Sequence, residues 1–294
     1  MPTDQLTAEV LHRVPARLGE GVCWHARRRT LWWIDILGQR LFESDLSGAP
    51  PRELAAPSLI GAVAPTAGGG LVAALRDGIH LLDPATGAFT PFATAPGHDP
   101  GPFRFNDAKV DPRGRFWAGT LALDGRAGRS RLYRIDADRT VRVMREGVTI
   151  SNGLAWSADA RTLYYIDSPT RTVQAFDYDL EHGTIGPPRV AIAFAEADGW
   201  PDGCCLDAEG GLWIAHWGAG KVTCWDPVAA RLRRGVRVPV ANVTSCAFGG
   251  PRRDQLFITT AVDDARAGAE PAAGWLFRAE PGTVGPELAT FAGG

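Results

Sequence analysis

Apolar residues in this chain come in short runs that alternate with polar positions, and Gly, Pro, Asp and Asn break the runs every few residues. That is the pattern of half-buried strands joined by tight turns. No segment sustains apolar residues at i, i+3 and i+4 behind a capping residue, so helix is not predicted. The stretch Arg104 to Thr120, RFNDAKVDPRGRFWAGT, shows the unit. Arg104, Asn106 and Asp107 open an apolar strand, Asp-Pro-Arg-Gly makes a turn, and a second strand follows from Phe116 to Thr120.

Five more stretches repeat this layout, opening at Gly19, Ile60, Ser151, Pro201 and Val243. The first apolar residue of each second strand sets a register: Leu31, Leu71, Phe116, Leu163, Leu212 and Leu256. The intervals are 40, 45, 47, 49 and 44 residues. A period in the forties with four short strands per unit is that of a β-propeller blade, although the WD and kelch signatures are absent. One blade alone would expose apolar faces that packing blade on blade buries. The expectation is an all-β, six-bladed β-propeller forming a single domain over 1–294. The sixth blade takes its third strand late, at Gly274 to Arg278, and its outer strand from either Val10 to Val14 or Glu287 to Phe291. Three Gly/Ala/Pro-rich loops, 93–103, 124–129 and 263–273, are expected on a propeller face.

Composition narrows the partners. With 294 residues, 45% hydrophobic content and a formal net charge of −2, the chain carries no electrostatic footprint for nucleic acid or membrane. Arg27-Arg28-Arg29 and Arg252-Arg253 fall at turns and read as solvated loops. The N-terminus lacks the layout of a signal peptide, and no apolar run approaches the ~18 residues of a membrane span. Five cysteines without a CxxC read as reduced, mostly buried small hydrophobes. A cytoplasmic protein, monomeric or weakly self-associating, is expected.

Corresponding positions of the innermost strands meet around a propeller's central channel. Counting back ten or eleven residues from each register residue reaches Glu20, Ile60, Asn106, Asn152, Asp202 and Ser245. Asn and Asp are also common turn residues, but Glu20 is not one. Two carboxylates and two amides fit a divalent cation with waters completing its shell. Without a cation the carboxylates would raise each other's pKa. No His or Cys shares this phase, which argues against structural zinc. Of six scattered histidines only His216 is a candidate for the channel. Ser151 and Ser245 lack a histidine in phase, and there is no GxSxG.

GEGVCW, RFNDAKVDPRGRFWAGT, SNGLAWS and PDGCCLD resemble the signature segments of the gluconolactonase/regucalcin (senescence marker protein) family of six-bladed propellers, and the similarity covers essentially the whole chain. The resemblance implies that Glu20, Asn152 and Asp202 hold one divalent metal ion (Ca, Zn, Mn, Mg or Fe). It implies that Arg104 and Asn106 bind sugar hydroxyls and that Asp124, one carbon shorter than the family's acid, contacts substrate. Val22 stands where the family usually has proline. The implied activity is hydrolysis of a small sugar lactone, an aldonolactone of the gluconolactone or xylonolactone type. Asp202 is then the candidate general base for the attacking water, and Trp200 either packs on the sugar ring or serves as core or lid. Two other readings stand beside it: a non-enzymatic calcium- or ligand-binding propeller, and a phosphotriester or other ester hydrolase on the same metal site. Arg104, Asn106 and Asp124 favour the lactonase, because an ion binder needs no hydroxyl contacts. The fold alone does not decide, since propellers host many functions.

Overall fold

The computed structural model describes residues 6–263 and 268–294. Six sheets form, one per sequence unit, and the only helical pieces among the described residues are two 3-10 turns, Ser168–Thr170 and Glu196–Asp198. The innermost strands are Gly19–His25, Ile60–Pro65, Phe103–Val110, Ser151–Trp156, Trp200–Leu206 and Val243–Gly249, in blades 1 to 6. All six register residues are fully buried. The apolar core divides into six clusters, one at each junction between neighbouring blades, including the junction of blade 6 with blade 1, where Val22 and Trp24 meet Phe257 and Leu276. Burial between blades is therefore what closes the ring.

The turn chemistry recurs as well. In DPRGRFW, Asp111 Oδ1 accepts from the backbone of Arg113 and Arg115, and Oδ2 accepts from Trp117 Nε1 at 2.9 Å and Tyr178 Oη at 2.7 Å. In DAEGGLW, Asp207 holds Glu209, Gly211 and Trp213 Nε1 in the same way. Each aspartate fixes its turn and orients a core tryptophan.

Of the two alternatives for closure, the N-terminal one holds: Glu9–His12 pairs with Leu276–Ala279 as the outer strand of blade 6. Leu6–Thr7 adds a parallel edge to blade 5. The segment expected at Glu287 to Phe291 does something else. Residues 281–294 run as a strap over the face where the inner strands end. The strap is held by Ala208 N to Val284 O, Gly285 N to Arg253 O, Phe291 N to Pro65 O and Ala292 N to Gly114 O. The loops expected at 93–103 and 124–129 lie on the opposite face, where the inner strands begin. The loop expected at 263–273 lies partly outside the described residues.

Candidate active site

Every inner strand carries a register shift near its start, and four of the shifts set the polar residues. A bulge places two residues against one partner and re-aims the side chain beside it. Asn106-Asp107, Asn152-Gly153 and Asp202-Gly203 sit in such bulges, and Glu20 sits at the edge of the one in blade 1. The glycines are there for space. A Cβ on Gly153 would lie 2.8 Å from Asp202 O, and one on Gly203 would lie 2.9 Å from Ser245 Cα. The inner strands come this close only because both positions lack a side chain.

Pairing with the second strand corrects the phase at two blades. The residue four before the partner of each register residue is Glu20, Gly61, Asn106, Asn152, Asp202 and Thr244. Ile60 is instead fully buried between blades 1 and 2, and Ser245 lies one position deeper in the channel. Connecting turns differ in length, so counting through them misses by one. Thr244 supports the ring from behind, donating from Oγ1 to Gly19 O.

Glu20, Arg104, Asn106, Asn152 and Asp202 are all buried, at 5–7% exposure, and a hydrogen-bonded chain runs through three blades. Arg104 Nη1 donates to Asn106 Oδ1 at 2.7 Å, Asn106 Nδ2 donates to Asn152 Oδ1 at 2.7 Å, and Asn152 Nδ2 donates to Ser168 Oγ at 2.7 Å. Ser168 Oγ donates in turn to Pro201 O, next to Asp202. Both amide orientations are thereby assigned. Asp202 Oδ1 is buried with no hydrogen-bond partner among the described residues.

The electrostatics follow from crowding like charges in a dry place. Burial, and then Asp107, push the Glu20 carboxyl up to about 8. Burial, then Glu20 and Asp107, hold Asp202 well above the usual carboxylate range, with Arg104 opposing. Burial lowers the Arg104 guanidinium to about 10 against the pull of Glu20 and Asp202. Two carboxylates that resist ionisation, one with an orphaned oxygen, beside an amide oxygen with a lone pair to spare, make a donor set that suits a hard divalent cation. Among the described residues no three His, Cys, Asp or Glu side chains cluster as metal ligands; the amide oxygen in the set is Asn152 Oδ1, which accepts from Asn106.

The remaining candidates sit differently. Asp124 is exposed on the loop after Phe116–Ala122, its carboxylate 2.8 Å from Arg129 and 3.4 Å from Arg126. Trp200 is 39% exposed with the Arg171 guanidinium 4.9 Å from its ring centre, an arrangement worth on the order of 1 kcal/mol. His216 is buried on the second strand of blade 5, bonded to Thr223 Oγ1 and edge-on to Phe194. Ser168 is absent from the sequence-based candidates, and Asp107, named at the head of its strand, has no role in the ring read from sequence. Ser168 has no signal in sequence, because its role depends on a contact between blades. Asp107 adjoins Asn106, and its influence on Glu20 and Asp202 needs the bulge that turns both residues inward.

A profile described as the SMP-30/Gluconolactonase/LRE-like region matches residues 18–262. The chain belongs to this family. A putative sugar lactone lactonase of Bacillus subtilis, YvrE, is 34% identical over 281 residues, covering 95% of this chain and 96% of the relative. Regucalcin of Xenopus laevis is 36% identical over 252 residues, 84% of each chain. The crystal structure of a calcium-binding protein, regucalcin, from Agrobacterium tumefaciens superposes with a TM-score of 0.92 at 29% identity, covering 98% of both chains. Membership of the SMP-30/gluconolactonase family agrees with the six-bladed ring. No helix among the described residues is long and apolar enough to cross a membrane.

Proposed function

We propose that this protein hydrolyses a sugar lactone, an aldonolactone of the gluconolactone or xylonolactone type, with one divalent cation held by Glu20, Asn152 and Asp202. The observation that carries the reading is one channel mouth that joins two uses. The Glu20–Asp202 pair is short of positive charge, and Arg104, fixed through Nη1 to Phe105 O and Asn106 Oδ1, keeps its other N–H groups for a ligand. When bound, the cation would polarise the lactone carbonyl as a Lewis acid. Asp202, with Oδ1 free of other bonds, takes the proton of the attacking water. Arg104 and Asn106 orient substrate hydroxyls, Asn106 being held by Arg104 on one side and Asn152 on the other. Asp124 reaches an outer hydroxyl from its loop, which requires it to be shared with Arg126 and Arg129. A family name that covers both lactonases and calcium-binding regucalcins supports a hydrolase with a divalent ion.

The non-enzymatic reading is favoured by the calcium-binding relative alone. A panel of aldonolactones followed by pH-stat, on protein stripped by chelator and then reconstituted with single cations, separates the two. Turnover that vanishes on stripping and returns with a cation is expected. Turnover at the full rate in protein verified as cation-free sinks the metal mechanism, and none on any lactone leaves the ion binder.

A further inference from the structure

Beyond the candidate site along the inner strands lies a second, half-open chamber of about 290 Å³, lined by all six inner strands and by Pro286 to Ala289 of the strap. That volume is about ten waters' worth. One turn of side chains, the residue just before each register partner, is decisive: Cys23, Ala64, Lys109, Ala155, Cys205 and Ala247. Five of the six are small and open the lumen, and the sixth is a lysine. All six line the chamber. Beyond them the wall is largely apolar, from Trp24, Val110, Trp156 and Phe248, with Leu288 above, and Ser157, Ser245 and the unpartnered Trp156 Nε1 as its neutral polar groups.

Lys109 Nζ has no hydrogen-bond or ion-pair partner among the described residues, although its stem is half-buried. Asp107 lines the same chamber without coming within ion-pair distance, its Oδ1 accepting from Ala108 N. Burial disfavours the Lys109 ammonium, but Asp107 and then the neighbouring cysteines outweigh it, so the amine stays charged. An ammonium that no side chain contacts directly, facing a largely apolar hollow, is a ready partner for an anion. Asp107 on the inner side and Glu287 at the rim limit that anion to a single charge.

We propose that this chamber is a second ligand site, which binds a small monocarboxylate with an apolar body, its carboxylate on Lys109 Nζ and its hydrocarbon part against Trp24, Trp156 and Phe248. The mix is that of a small-molecule pocket, mostly apolar with one directing polar group. The sugar acids of the proposed reaction suit it poorly, because Ser157, Ser245 and the unpartnered Trp156 Nε1 are few partners for a hydroxyl on every carbon. The site therefore stands independently of the lactonase reading.

The test is calorimetric titration of the full chain, both stripped and cation-reconstituted, with 3-phenylpropionate as the probe. Its amide and gluconate serve as comparisons. Saturable binding at up to millimolar concentrations, equal in the two protein forms, is expected, with the amide and gluconate much weaker. Lys109→Met should weaken the acid at least about tenfold, the worth of a charge-assisted hydrogen bond. Ala247→Phe, which fills the lumen without touching any charge, should abolish binding while lactone turnover persists. Ala247→Phe and the amide comparison still decide the matter should Lys109→Met not fold. The proposal is overturned by acid and amide binding alike, by unchanged affinity in either folded variant, by binding that requires the cation, or by no saturable binding to the wild type.

Discussion

Cation binding to this site should release protons, and the amount can be worked out from the residues present. Glu20 sits at about 8 without a cation, through burial and Asp107. Near neutral pH it therefore keeps its proton, which a cation must displace. Affinity scales with the ionised fraction, 1/(1 + 10^(8−pH)), so Glu20 alone should raise it roughly 50-fold between pH 6 and pH 8. Asp202, also raised, steepens the dependence. Stability of the cation-free protein runs the other way. Below the unfolded value of 4.5 the carboxyl is neutral in both states and costs nothing. As pH rises through about 8 that stability is lost, because the unfolded chain ionises first. Calcium titrations at pH 6, 7 and 8, each in two buffers of different ionisation enthalpy, count the protons directly. Glu20→Gln should remove its share. Zero proton release at pH 7 with flat affinity from pH 6 to 8 would refute the reasoning, since both carboxylates would then be ionised without a cation.

Asp202→Asn should cost more turnover than Asn152→Asp, by ~10²–10⁴-fold if Asp202 is the base; a near-wild-type rate with cation bound moves the base elsewhere, Glu20 first. Arg104→Met should lower kcat/KM by about 5- to 100-fold, the loss of one or two hydrogen bonds from a charged donor. It should leave cation affinity intact or stronger, because a positive charge beside Glu20 and Asp202 is gone. Weaker cation binding with unchanged kinetics on every lactone contradicts the sugar-binding role. Asp111→Ala, which orphans Trp117 Nε1, Tyr178 Oη and Arg115 in a fully buried position, should destabilise by about 3–5 kcal/mol. Denaturant unfolding measures it, and a loss under 1 kcal/mol would show that water replaces the aspartate.

The blade rhythm was legible because Leu31, Leu71, Phe116, Leu163, Leu212 and Leu256 each occupy a buried place that tolerates little but a large apolar side chain. Glu20, Asn106, Asn152 and Asp202 were legible because a polar residue at the head of an apolar strand breaks the pattern. Ile60 and Ser245 missed Gly61 and Thr244 by one because bulges and turns add residues that a fixed count ignores. The strap was hidden for a different reason. Its bonds are to turns of blades 2, 3, 5 and 6, which no local period encodes. Lys109 escaped notice because an isolated lysine in a strand usually marks a solvated face. Only the ring of small residues around it shows that its neighbour is the lumen.

Closure through Glu9–His12 fixes the order in which the protein can be made. Val10 pairs with Phe277, 267 positions later, so a strand made early waits for Leu276–Ala279. Until then blade 6 lacks its outer edge, and blade 1 lacks the neighbour that covers Val22 and Trp24. Contacts of such separation make folding slow and leave unpaired edges exposed meanwhile. A chain released a few dozen residues early would hold five nearly complete blades and an open seam, and would be a substrate for chaperones rather than a lesser enzyme.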